Sequence, residues 1–169
     1  MTFKNQKKTF LAKLDKSKKG SIDEKCLPLI KLINNLDDYY TTSSCSGRAY
    51  FWTGEKKNET EWFNVSHDLV TPIFFYIENK DLWLRVEPLI MHIACKDIDS
   101  ANNLLQKAQS VCKKSSILTI SNKIIVEIKG SEYLEMPYTY SENLQKIVNN
   151  KLKKINKKIE ELEIIFSAS

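Results

Sequence analysis

Between residues 140 and 166 the chain carries one unbroken amphipathic stripe. Leu144, Ile147, Val148, Leu152, Ile155, Ile159, Leu162 and Phe166 recur at helical spacing, with lysine and asparagine opposite. A helix of this length must bury its apolar face, on a body of other elements or against a second copy. The spacing leaves both open.

The rest of the 169 residues reads as such a body. A weak helical stripe over 3–14 is broken at Lys18-Lys19-Gly20. Ser21 and Glu24 have the spacing of a capping box, opening a helix that runs to about Asn35 with Pro28 as a kink or as its true first turn. From Tyr39 onward aromatic and β-branched residues dominate. Strands are predicted over 39–43 and 48–52, joined by a tight turn at Gly47, and over 61–67, 73–77, 82–87 and 89–95. Polar residues 53–61 form a loop, Asn79-Lys80-Asp81 a turn, and Pro88 marks an edge or a bulge. A helix over 97–113 precedes a hairpin of 117–120 and 124–128. The expected fold is α+β: a single domain over 1–169, with one mainly antiparallel sheet flanked by helices and closed by a long C-terminal helix.

Composition removes several classes of function. At 42% hydrophobic the chain is not disordered, and it holds no apolar run near 18 residues that would span a membrane. Met1 to Lys8 is polar and no apolar signal region follows it. The four cysteines, Cys26, Cys45, Cys95 and Cys112, are widely separated and read as reduced thiols, so a cytoplasmic location is expected. Four glycines, Gly20, Gly47, Gly54 and Gly130, cannot build a dinucleotide or Walker loop, which excludes a Rossmann or P-loop reading. Two histidines and scattered cysteines show no zinc-ligand spacing, so no metal is expected. Cys45 and Arg48 are too close in sequence for a phosphatase cradle.

Charge is concentrated at the ends. Residues 1–20 hold seven lysines against one aspartate, and residues 146–165 hold six lysines against three glutamates. Basic termini on a mildly acidic body suit a polyanion such as RNA, although solvated helix faces have the same composition. Arginine is scarce: only Arg48 and Arg85 stand among 26 basic residues, which points to positions that need a planar, bidentate donor.

Arg48 closes the most unusual segment of the chain. Six consecutive hydroxyl or thiol residues, Thr41-Thr42-Ser43-Ser44-Cys45-Ser46, run into Gly47-Arg48. On a strand, alternation places Ser44 and Ser46 on one face, and Arg48 with them if Gly47 keeps the register. Such a set suits a carboxylate, a phosphate or a base edge. A polar β-turn would look the same.

With its surroundings this segment resembles the tRNA wybutosine-synthesising methyltransferase family. T-T-S-S-C-S-G-R is preceded by K-x-G-S-I-D-E and P-L-I-x-L-I-N. It is followed by Trp62, then Val65-Ser66-His67, and by the run Val86-Glu87-Pro88-Leu89-Ile90-Met91-His92-Ile93-Ala94-Cys95. Val126-Glu127-Ile128 and Leu134-Glu135-Met136-Pro137 complete the match, which covers nearly the whole chain. One stretch departs from the pattern. The family tends to carry a Gly-aromatic-Arg-x-Ser-Gly run where this chain has Val111-Cys112-Lys113-Lys114-Ser115-Ser116.

The resemblance implies transfer of a methyl group from S-adenosylmethionine to N4 of a tricyclic guanosine derivative, beside the anticodon of phenylalanine tRNA. It makes Ser43, Ser44, Ser46, Gly47, Arg48 and Pro88 candidates for binding cofactor or substrate. The carboxylate they hold would belong to the methionine part of the cofactor or to the aminocarboxypropyl arm of the base. His92 or His67 is the candidate proton acceptor, because unperturbed imidazoles titrate near neutrality, with Glu87 orienting one of them. Tyr39, Tyr40, Phe51 and Trp52 are candidates for stacking or for the core. The competing reading is a non-catalytic RNA-binding module, distinguished by its failure to bind S-adenosylmethionine.

Overall fold

The strands form two sheets rather than one. The computed structural model describes residues 2–13, 23–53, 60–78 and 81–168. In chain order it contains α1 (Phe3–Leu11), a 3-10 turn (Glu24–Cys26) leading into α2 (Leu27–Asn35), β1 (Tyr39–Cys45), β2 (Arg48–Thr53) and β3 (Glu61–Ser66). A second 3-10 turn (Pro72–Phe75), β4 (Trp83–Glu87), β5 (Ile90–Cys95), α3 (Ile98–Gln109), β6 (Ser116–Thr119), β7 (Ile124–Lys129), β8 (Leu134–Pro137) and α4 (Leu144–Ser167) follow. The first sheet has the order β1-β5-β7-β6 and the second β3-β2-β4-β8, with every pairing antiparallel. The α+β class and the long terminal helix are as expected.

Strands β1 and β2 are not a hairpin. The chain leaves one sheet at Ser46-Gly47 and enters the other at Arg48, and it returns at Pro88-Leu89 between β4 and β5. Pro88 therefore marks a crossing between sheets rather than an edge or a bulge. Gly47 makes its crossing possible with φ of 89°, a conformation that costs L-residues free energy. A Cβ there would lie 2.9 Å from the Glu87 carbonyl oxygen and 3.0 Å from Ile155 of α4.

Alternation along β2 is strict: Ala49 and Phe51 are fully buried between sheet and helices, whereas Arg48, Tyr50 and Trp52 take the other face. Residues 73–77 do not make a strand. Pro72 opens a 3-10 turn, adjacent Phe74 and Phe75 both enter the core, and their carbonyls accept from Asn64 Nδ2 (2.9 Å) and Tyr138 Oη (2.6 Å). Side chains thus take the place of ladder partners. Strand β8 lay unseen in the residues Leu134 to Pro137.

Pro28 occupies the first turn of α2, where its missing N–H costs nothing. Ser21 of the expected capping box, the break at Lys18-Lys19-Gly20, most of the loop after Thr53 and the Asn79-Lys80 turn lie outside the described residues. Asp97 caps α3 through Ser100 N (2.8 Å), and that helix ends at Gln109, short of Lys113. The stripe of α4 packs onto the body through Leu144, Val148, Leu152, Ile155, Ile159, Leu162 and Phe166, while Ile147 falls off the stripe and is exposed.

Lys158 ties α4 to the β7–β8 connection with Nζ 2.7 Å from Glu132 Oε1. Burial alone would raise the Glu132 carboxyl, but Lys158 and Ser131 outweigh it and hold it below the usual carboxylate range. A carboxylate lowered by folding contributes stability that is present above its unfolded value and lost as pH falls through the folded one. Melting between about pH 5 and pH 3 should therefore cost wild type more stability than Glu132→Gln. Parallel curves would remove the pair from the acid response.

Candidate active site

The hydroxyl block is shaped by a bulge. Asn34 Oδ1 accepts from Thr41 N (2.8 Å) and from Thr41 Oγ1 (3.1 Å), and the β1–β5 register shifts between Thr41 and Ser43. Such an insertion re-aims the residues after it. Ser43 then lies opposite His92, Ser44 opposite the buried Met91, and Cys45 opposite Ile90. The face toward the site is therefore that of Ser43 and Cys45. The expectation that Ser44, Ser46 and Arg48 form one ligand-facing set fails, because Ser44 lies opposite the buried Met91, Ser46 is buried against Asp23, and Gly47 carries Arg48 into another sheet.

Ser46 is buried and faces Asp23, which the sequence reading did not single out as a site residue. Asp23 Oδ2 accepts from Ser46 N (3.0 Å) and Ser46 Oγ (3.3 Å) and lies 3.4 Å from His67 Nδ1. His67 Nδ1 donates to the Gly47 carbonyl at 2.8 Å. With the proton on Nδ1, the lone pair of a neutral ring is on Nε2. Asp23, Cys45 and His67 offer ligand atoms that all lie within 4.8 Å of one another, a grouping drawn from three segments that linear spacing could not reveal. Burial pushes the Cys45 thiol up, against the Gly47 amide and Arg48, so a thiol rather than a nucleophilic thiolate stands there.

His92 forms a separate relay. Ser43 Oγ is 2.8 Å from its Nδ1, and Nε2 is 3.1 Å from Glu127 Oε2 on β7. The carboxylate fixes the ring with Nε2 protonated, so Nδ1 accepts from the serine hydroxyl. Glu87 orients neither histidine. Its Oε2 accepts from Arg48 Nε (2.9 Å) and lies 2.8 Å from Arg48 Nη2, and Tyr50 Oη donates to Oε1 (2.8 Å). Burial and this bond to Glu87 push the Tyr50 phenol up to about 12, leaving it a neutral donor.

Arg48 and Glu87, with Pro88 beside them, meet Cys45, Glu127 and Lys129 around a cleft of about 650 Å³. Its walls come from both sheets, and Lys114 adds a cation from the stretch that departs from the family pattern. There Ser115, a buried hydroxyl, donates to Cys112 O (2.7 Å) and accepts from Lys129 N (3.2 Å), so the turn stays closed without the family's glycines. Three cations, Arg48, Lys114 and Lys129, and two carboxylates, Glu87 and Glu127, line the opening, a lining matched to a zwitterion such as an α-amino acid group.

Comparison with known proteins settles which family this arrangement belongs to. Residues 5–167 match the protein-family profile described as Methyltransferase TYW3. The chain belongs to that family. It is 33% identical to the tRNA(Phe) 7-((3-amino-3-carboxypropyl)-4-demethylwyosine(37)-N(4))-methyltransferase 1 of Pyrococcus furiosus, covering 95% of this chain and 93% of that protein. It is 34% identical to a tRNA wybutosine-synthesizing protein 3 homolog of Xenopus laevis, covering 81% of this chain and spanning 59% of that longer protein. The solved structure of PH1069 from Pyrococcus horikoshii superposes with a TM-score of 0.86 at 30% identity, over 98% of this chain and 96% of that one.

Of the TYW3 site residues expected from sequence, the structure brings Ser43 to His92, Arg48 to Glu87, and Ser46 to His67. Ser44 forms no part of these clusters. Asp23 and Glu127 stood inside quoted blocks, and their signal was a carboxylate in otherwise apolar or turn-forming surroundings. No helix among the described residues of this TYW3 methyltransferase is long and apolar enough to cross a membrane.

Proposed function

We propose that this chain is a cytoplasmic enzyme, a single domain over 1–169, that methylates N4 of the 7-(3-amino-3-carboxypropyl)-4-demethylwyosine base beside the anticodon of phenylalanine tRNA, with S-adenosylmethionine as donor. The observation that carries the reading is the cleft itself. At about 650 Å³ it is within the range of small-molecule sites, and its lining pairs Arg48 with Glu87 and Lys129 with Glu127. The methionine end of the cofactor and the amino-carboxypropyl arm of the base are both α-amino acid zwitterions, so the same chemistry serves either. Arg48 would hold a carboxylate, and Glu87 or Glu127 an ammonium group.

S-adenosylmethionine supplies an electrophilic methyl group when bound. The transfer forms an N4–carbon bond, breaks the sulfur–carbon bond and releases the N4 proton. The protein orients both partners in line and takes up that proton. Two groups suit the proton. Ser43 is exposed and can pass it to His92 Nδ1, with Glu127 stabilising the imidazolium; His67 has Nε2 free, with Asp23 behind it. Closure of the site by tRNA would exclude water and strengthen each of these contacts.

The test is direct: incubate the purified chain with S-adenosylmethionine and phenylalanine tRNA carrying the demethylated base, then analyse the nucleosides by mass spectrometry. A gain of one methyl on that base is expected. Saturable tRNA binding with no calorimetric heat from S-adenosylmethionine would favour the RNA-binding module instead.

A further inference from the structure

The face of β2, β3 and β4 that points away from the core gathers all three tryptophans and both arginines of the chain. Trp62 lies under the Arg48 guanidinium at 4.2 Å and beside Tyr50 at 5.0 Å. The Arg85 guanidinium lies 4.5 Å over Trp52, and Trp52 lies 6.1 Å from Trp83. Tyr50 links the two arginines, its ring 5.3 Å from Arg48 and 5.9 Å from Arg85, so the flat groups form one row: Trp62, Arg48, Tyr50, Arg85, Trp52 and Trp83. Its ends are open, with Trp62 49% and Trp83 40% exposed. Large aromatic groups seldom lie together on a free surface without a partner.

We propose that this row is a stacking platform for unpaired nucleotides of the RNA substrate. The inference rests on the proposed methyl transfer to tRNA and assigns the surface that presents the base. Three observations select single-stranded RNA as the occupant. The arginines are already paired, Arg48 with Glu87 and Arg85 with Glu135, so the face is locally neutral and offers planes rather than charge. Cations stand at its flank instead, where Lys114 and the Glu127-paired Lys129 line the cleft and can meet phosphates. The row also reaches that cleft, since Arg48 belongs to both and its partner Glu87 lines the cleft beside it. Bases stacked on the row would have their backbone toward the lysines and the neighbouring target base at the cleft mouth. A duplex, whose bases are already stacked, gains nothing there.

Trp62→Ala and Trp83→Ala test the assignment, with Trp83→Ala the cleaner variant because it does not touch Arg48. The KM for phenylalanine tRNA is expected to rise about tenfold for each, while the calorimetric Kd of Trp83→Ala for S-adenosylmethionine stays at the wild-type value. Indole fluorescence of wild type should be quenched by the anticodon stem-loop, and the isolated stem duplex should not compete. Unchanged KM in both variants, or equal competition by the duplex, overturns the platform while leaving the methyltransferase intact. Quenching that follows protein concentration without RNA would make the row an interface between copies and equally end the proposal. Absence of methyl transfer by wild type is a different failure, that of the enzyme reading itself.

Discussion

Arg48→Ala is expected to lose methyl transfer almost entirely while keeping the fold. Losing the guanidinium partner of a bound, desolvated carboxylate costs about 2–5 kcal/mol of binding, which corresponds to roughly 30- to 5,000-fold in kcat/KM. The loss should appear in cofactor affinity by calorimetry if Arg48 holds the methionine carboxylate, and in the tRNA KM if it holds the arm of the base. Stability should change little, because Glu87 keeps the Tyr50 hydroxyl at 2.8 Å and has Arg85 Nη1 at 3.8 Å. Arg48→Lys should recover little activity: an ammonium cannot reproduce the fork on Glu87 or lie flat on Trp62. Wild-type kinetics in either variant would remove the guanidinium from the reaction.

Gly47→Ala is expected to be the most destabilising single-methyl change in this region. The backbone at φ of 89° costs an L-residue about 1–2 kcal/mol. The new methyl would also meet the Glu87 carbonyl at 2.9 Å and Ile155 at 3.0 Å, overpacking worth about 1–3 kcal/mol. Together they predict a fall in Tm on the order of 5–15 °C by differential scanning calorimetry. Activity should fall further than stability alone explains, because the Gly47 carbonyl that receives His67 and the peptide that leads to Arg48 both move. Paired with Ile155→Ala, which opens space on α4, the variant should regain part of the Tm and little of the activity. A Tm equal to wild type would show that this crossing is not strained.

Local patterns carried much of the fold. The α4 stripe and the 117–128 hairpin are set by residues near each other in sequence, and both form, with the helix starting at Leu144 and Ile147 leaving the stripe. Sheet membership was hidden because it depends on partners far along the chain. β1 and β2 are two residues apart yet pair with β5 and β4, and only the positive φ at Gly47 hints that the chain turns away rather than back. Phe74 and Phe75 misled for a related reason: β propensity favours a strand, but Pro72, Asn64 and Tyr138 together redirect that backbone.

The site was legible as a segment and illegible as a constellation. The hydroxyl run and Arg48 drew notice as an unusual composition. Which hydroxyl meets His92 depends on the bulge that Asn34 of α2 holds, since the shift sets Ser43 rather than Thr42 opposite the ring. Glu87 looked like a partner for histidine because only sequence neighbours could be compared. It is instead the cross-strand partner of Arg48 in its own sheet, and Glu127 takes the place beside His92 in the other.

The two crossings at Gly47 and Pro88 divide labour between two lamellae. The Ser43–His92–Glu127 relay, one of the two proposed proton acceptors, belongs to one layer, whereas Arg48 with Glu87 and the aromatic row belong to the other. If the proposed platform reads the loop, changes on the outer row would alter which loop is recognised without touching the relay of the other sheet, so recognition and chemistry would diversify independently within a single small scaffold.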